Sequence, residues 1–310
     1  MAIPGTLANI LKMTQPTGYK SNSDLLDGNK LYIERARLTL PILVRQAKAG
    51  EPIYYSDLAE ELGMPNPRNL NYVLGAIGNA LEALSKREKS AKIPVINCLV
   101  VNKTDNLPGQ GISWFIDKKN FDKLTKNQKR ETVKRILTEI YLYPNWDWVL
   151  NELGLSPVKS NFSTKFRPQL LKWKKKYGSG GESQSHKDFK EYLAHHPEIF
   201  GLELEIVGMT EYDLPSMDKI DVLFDNKKDK VGVEAKSIIS GTTDILRGLF
   251  QCVKYKALIE AEQKVNDLIP NCRVVLALEG EFPNELIPIR NLLGIEIIDK
   301  IERKTFANMV

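Results

Sequence analysis

At 310 residues, with 42% apolar and 27% charged side chains, the chain has a soluble globular composition and excludes a disordered or fibrous protein. No run approaches the ~18 apolar residues of a membrane span, and the opening MAIPGTLANILKMTQPTGYK lacks the basic n-region and apolar core of a signal peptide, so a cytoplasmic protein is expected. A net charge of +5 permits a polyanionic partner without requiring one.

The length suits two domains of about 150 residues each. Residues 1–28 are polar and unpatterned and read as a loose arm. From Lys30 to Ala49, Tyr32, Ala36, Leu40, Leu43 and Ala47 recur at helical spacing, with Pro41 expected to kink or split the helix. Ser56 is expected to cap a short helix that runs through Leu62, with Gly63 ending it and Pro65 and Pro67 filling the turn. A second helix follows from about Arg68 to Leu84, burying Leu70, Val73, Leu74, Ile77 and Leu81. PVINCLVVN reads as a strand, NLPGQG as a turn and ISWFI as a returning strand, the elements of a wing. Residues 1–154 thus resemble a winged helix-turn-helix domain, mostly helical. The resemblance implies a recognition helix presenting Arg68, Asn69, Asn71 and Asn79 to base edges or phosphates. Residues 125–143 form a further amphipathic helix, continued by the aromatic core segment YPNWDWVLNELGL.

Residues 155–181 read as a basic linker. There FRPQLLKWKKKYG gathers Arg167, Lys172, Lys174, Lys175 and Lys176 around Trp173, suited to phosphates and base stacking, before the Gly/Ser stretch YGSGGESQS. The three cysteines, Cys98, Cys252 and Cys272, lie in apolar contexts without metal-ligand spacing and read as reduced core residues.

Residues 182–310 carry a readable order of elements: a helix from about Gln184 to His196, stopped by Pro197, then the strands LELEIVGM, KIDVLFD and KVGVEAK. A helix from Asp244 to about Gln263, the strand RVVLALE, a helix from Asn284 to Leu293 and the strand IEIID complete it. This α-β-β-β-α-β-α-β order predicts a mixed sheet flanked by helices, so the chain as a whole is a two-domain protein of the α+β or α/β class.

Asp221 interrupts the apolar run of KIDVLFD and, if buried, needs a cation partner. In KVGVEAK, Glu234 and Lys236 share one face of the strand while Val231, Val233 and Ala235 take the other. If the two strands form a hairpin, Asp221 and Glu234 can converge on one divalent cation through hard oxygen ligands. This arrangement, D…E-A-K across a hairpin and then a helix, resembles the PD-(D/E)XK nuclease superfamily, with its restriction-endonuclease-like fold. The resemblance covers roughly residues 182–300. It implies Mg²⁺, or Mn²⁺ as substitute, held by Asp221 and Glu234, with Lys236 orienting or activating the attacking water.

In the following helix, Leu246, Phe250, Val253 and Ala257 are expected on the buried stripe, with Arg247, Gln251 and Tyr255 on another face. Gln251 and Tyr255 form the QxxxY pattern seen after ExK in this superfamily. Arg247, Lys254 and Tyr255 are then expected to meet substrate, and Gln251 to position Lys236. The superfamily's first-helix glutamate is replaced by His186, which can ligate the metal, shuttle a proton or cap the core; Glu182 lies one turn earlier. The expected activity is Mg²⁺-dependent hydrolysis of phosphodiester bonds in double-stranded DNA, with bacterial restriction or anti-phage defence as its setting. Two alternatives stay open: a DNA-binding regulator on a degenerate nuclease fold, and a nuclease whose first domain binds a partner or activating ligand. Homo-oligomerisation is also left open.

Overall fold

The computed structural model describes residues 22–88, 92–116, 118–158, 183–226 and 229–303. The basic KWKKK segment, Glu182 and most of the proposed linker lie outside them. The first described element is a 3-10 turn, Asn22–Leu26, whose Leu26 is buried, so the end of the expected loose arm is packed. α1 (Leu31–Ala49) is one uninterrupted helix with Pro41 inside it, neither split nor ended there. Ala36, Leu40, Leu43 and Ala47 are buried as their spacing predicts, and the helix stops at Gly50 in the left-handed region.

β1 (Ile53–Tyr54) leads directly into α2 (Tyr55–Glu61). Ser56 therefore lies inside the first turn and bonds Asp57 Oδ1 at 2.8 Å; it is not the cap. Gly63 at φ +61° turns the chain, Pro67–Asn69 forms a 3-10 turn, and α3 (Leu70–Arg87) buries Leu70, Val73, Leu74, Ile77 and Leu81.

The expected wing is absent here. Ile96–Leu99 is a 3-10 turn, β2 (Val100–Val101) pairs in parallel with β1, and Gln110–Trp114 is another 3-10 turn. The loop is held elsewhere: the Gly109 N–H donates to Tyr55 Oη at 3.2 Å, pinning it onto α2. Ile112 and Ser113 are then buried, and Phe115 packs against Gly78. α4 (Lys118–Phe121), α5 (Lys126–Leu142) and α6 (Trp146–Glu152) close this half. Thr125 and Gln128 form a capping box on α5, and the fully packed Trp146 donates its indole N–H to the Ile140 carbonyl at 2.9 Å.

α7 (Gln184–Ala194), β3 (Met209–Asp213), β4 (Lys219–Asp225), β5 (Lys230–Lys236), α8 (Thr242–Val265), β6 (Cys272–Leu278), α9 (Ile287–Leu293) and β7 (Glu296–Ile298) follow the predicted order. The first strand starts seven residues later than Leu202, because Leu204 and Val207 stay exposed and supply no buried strand face. The sheet order is β3-β4-β5-β6-β7, with β3, β4 and β5 antiparallel neighbours and β5, β6 and β7 parallel. β5 is therefore central and buried along nearly its whole length.

One apolar cluster, including Phe189, Leu193, Val222, Val233 and Ala235, covers the α7 face of this sheet. A second, including Ile220, Leu223, Leu246, Leu249 and Leu276, covers the α8 face. The helical half has its own core from Leu26 to Leu153. The halves meet where α9 sits on α1 and α2. Arg290 bonds Glu60 at 2.8 Å, Asn291 bonds Glu61 at 2.9 Å, and Gln46 donates to the Asn291 carbonyl at 2.8 Å. Gln46, Arg290 and Asn291 are buried, and these bonds spare them the cost of unsatisfied polar groups.

Candidate metal and hydrolytic site

The site starts from a fork in the sheet. The β4–β5 ladder runs from Asp225↔Lys230 to Val222↔Val233 and stops there, one residue short of Asp221 and Glu234. β5 carries on beside β6 as far as Lys236↔Leu278. Alternation in β4 also breaks at this point, since Ile220 and Leu223 both join the α8-side core while Val222 joins the other. On the far side of β4, Glu211 takes φ +53°, a left-handed conformation that is uncommon for a residue with a side chain. The fork is thus bracketed by irregular backbone on both strands.

Asp221 spans the fork. Its Oδ2 accepts from the Ala235 N–H at 2.8 Å and lies 3.8 Å from His186 Nε2, while its Oδ1 lies 3.8 Å from Lys190 Nζ. Burial works to raise its pKa, but the His186 contact, the Ala235 N–H and the charges of His186 and Lys236 outweigh it, so Asp221 stays an anion below the usual range. Glu234 has the opposite balance. Fully buried on the α8 face, it is pushed up to about 7, first by burial and then by the negative charge of Asp221, with Lys236 only partly offsetting them. Lys236 Nζ donates to Glu234 Oε1 at 2.9 Å and lies 3.5 Å from Asp244 Oδ1. These carboxylates, Glu234 first among them, hold the Lys236 proton more firmly than burial loosens it.

The face assignment of Glu234 and Lys236 holds, and Asp221, Glu234, Lys236 and His186 are brought together. The sequence reading missed Lys190, Glu211 and Asp244. Lys190 is almost fully buried and bonds Glu211, so one ammonium serves Glu211 and, at longer range, Asp221. A signal for Lys190 exists in hindsight, because it stands four residues after His186 on the same helix face.

α8 corrects the expected stripe. Val253 and Ala257 are exposed, and Ile245, Leu246, Gly248, Leu249, Cys252, Tyr255 and Ile259 face inward. Tyr255 is therefore a core residue, 4% exposed and not a substrate-facing one. Gln251 donates to Tyr255 Oη at 3.2 Å and leaves its own Oε1 buried without a partner; Lys236 is held instead by Glu234 and Asp244. Arg247 is half-buried on α8, and Lys254 is exposed and paired with Asp218. In the helical half, Arg68, Asn69, Asn71 and Asn79 are exposed.

Gly248 lets α8 approach the sheet. A β-carbon there would lie 2.8 Å from Leu276 Cδ1 and 3.0 Å from Lys236 Cε. Gly248→Ala gains about 1 kcal/mol of helix propensity, but crowding a packed core costs about 1–3 kcal/mol. The variant is expected to be slightly less stable in a denaturant titration. Its larger effect is expected on the position of Lys236, whose Cε the added methyl would crowd.

A buried carboxylate whose proton affinity is raised by burial and by a second, ionised carboxylate is the donor chemistry a hard divalent cation relieves. Mg²⁺ commonly takes one or two carboxylates and keeps several waters. Among the described residues no group of three or more His, Cys, Asp or Glu side chains is arranged to cage a metal, so the fit rests on Asp221 and Glu234 with water completing the shell. Comparison with known proteins gives no matching family model, no matching curated protein and no matching solved structure.

Proposed function

We propose that the chain is a metal-dependent phosphodiesterase acting on double-stranded DNA, with its fork of β4 and β5 as the hydrolytic site. One observation carries the reading: Asp221 and Glu234 come from adjacent strands to one buried place, and Lys236 stands hydrogen-bonded beside them. Asp221 and Glu234 would hold a Mg²⁺ ion, which polarises the scissile phosphate and favours ionisation of the attacking water. Asp221 is suited to this because its contacts keep it ionised at neutral pH. Lys236 keeps its proton and places a fixed positive charge where negative charge grows on the phosphoryl oxygens. Asp244 and Glu234 restrain its ammonium, so little reorganisation is needed during reaction. His186 borders Asp221 and orients it. Hydrolysis adds water across the P–O3′ bond, leaving a 5′-phosphate and a 3′-hydroxyl.

The helical half supplies the nucleic-acid-facing surface, through Arg68, Asn69 and Asn71. The α9 contacts with α1 and α2 give that surface a defined position relative to the fork. Supercoiled plasmid incubated with the purified chain and Mg²⁺ is expected to be nicked or linearised, and EDTA is expected to stop it. Equal cleavage with EDTA, or none with Mg²⁺ or Mn²⁺ on DNA, would remove the reading.

A further inference from the structure

A cleft of about 1390 Å³ opens in the helical half between α3 and the loop carrying Gly109–Phe115, well separated in sequence from the fork. Its charges balance, Arg68 and Lys129 against Glu82 and Asp122, so it does not select a ligand by net charge. Its character comes from side-chain amides: Asn71, Asn79, Asn97, Asn102 and Gln110 all line it. Asn71 and Asn79 stand exposed on α3, two turns apart, and Trp114 is 71% exposed on the opposite loop. Asn97 is 4% exposed in the wall. Its amide donates to the Leu74 carbonyl at 2.9 Å, which fixes the orientation and leaves Oδ1 as a buried acceptor with no partner.

Carboxamides pair edge-on with the donor and acceptor edges of nucleobases, and an aromatic face beside them supplies stacking. A base inside a duplex has its pairing edge occupied and cannot enter a concave site, whereas an unpaired or extruded base can. We infer that this cleft binds an unpaired nucleobase, stacked on Trp114 and read by Asn71 and Asn79. The base can come from a single strand, from a bulge in a duplex or from a free nucleotide. Arg68 and Lys129 stand at the same cleft to meet its phosphates. The inference rests on the nucleic-acid partner proposed above and not on hydrolysis at the fork.

The test is binding without metal. The full chain in EDTA is titrated against a fluorescein-labelled duplex, the same duplex with one unpaired central nucleotide, and the corresponding single strand. The bulged duplex and the single strand are expected to bind roughly tenfold or more tightly than the paired duplex, the range of one stacked base. Trp114→Ala changes one exposed side chain and is expected to erase that preference while the paired duplex binds as before. Competition by free nucleoside monophosphates would identify a mononucleotide site, the same chemistry from another source. Equal binding of paired and bulged duplexes, no binding of any probe, or a preference untouched in Trp114→Ala would each overturn the inference. Plasmid cleavage with Mg²⁺, measured separately, tells failure of the cleft from failure of the fork.

Discussion

Asp221→Ala is expected to lose metal-dependent plasmid cleavage by at least about 100-fold, more than the 10–100-fold typical of a residue that acts only behind a metal ligand. The same loss is expected for Glu234→Ala and for the double variant. The fold should survive. Removing Asp221 leaves the Ala235 N–H without its 2.8 Å acceptor, a cost of about 1–3 kcal/mol for a buried donor. The same change takes away the charge that burdens Glu234, which acts in the opposite direction. Far-UV circular dichroism and a denaturant midpoint near that of the wild type would show that lost cleavage is a chemical loss. A double-alanine protein that cuts at the wild-type rate would place the chemistry elsewhere in the chain.

Much of this site is legible in the sequence because it follows from a period of two. An acid set among apolar residues in KIDVLFD, and an acid and a base two apart in KVGVEAK, locate Asp221, Glu234 and Lys236 without coordinates. The order of helices and strands in the second half is legible for the same reason, since each change of period marks a new element.

What is not legible depends on contacts between distant segments. Lys190 reads as a polar residue of an amphipathic helix until β3 brings Glu211 across to it. Glu211 falls outside the expected strand LELEIVGM, which ends at Met209 where β3 begins, and its backbone leaves the ordinary strand region. Tyr255 has a spacing that fits a polar stripe with Arg247 and Gln251, yet Gly248 draws α8 so close to the sheet that the tyrosine becomes core. The wing fails for a comparable reason. ISWFI has strand composition, but most of it lies in a 3-10 turn, with Ile112 and Ser113 buried and Phe115 packed against Gly78 on the distant α3.

The second large effect concerns stability, and it follows from Glu234. Its folded pKa of about 7 lies above the ordinary 4.5, so the folded protein holds this proton more tightly than the unfolded chain. The stability this contributes is present below pH ~4.5 and is lost as pH rises to about 7, a change on the order of 3 kcal/mol. Asp221 acts in another window. Its lowered pKa contributes stability above the ordinary aspartate range, lost only as pH falls through its folded value in strong acid. Lys236, whose proton is held more firmly in the fold, contributes stability that disappears only in alkali beyond its ordinary range. Between pH 5 and 8, therefore, Glu234 dominates the site's contribution. Urea denaturation of the metal-free protein is expected to show stability falling across that interval. Glu234→Gln keeps the shape and abolishes the titration, so its site contribution should be nearly flat with pH, and above pH 7 it should be at least as stable as wild type. Mg²⁺ added at pH 8 should stabilise the wild type and not the variant, because the cation offsets the same buried charge that the fold tolerates poorly. Identical pH profiles for the two proteins would mean that Glu234 stays ionised throughout, held by Lys236 alone, and that the buried acid pair is not strained toward a cation.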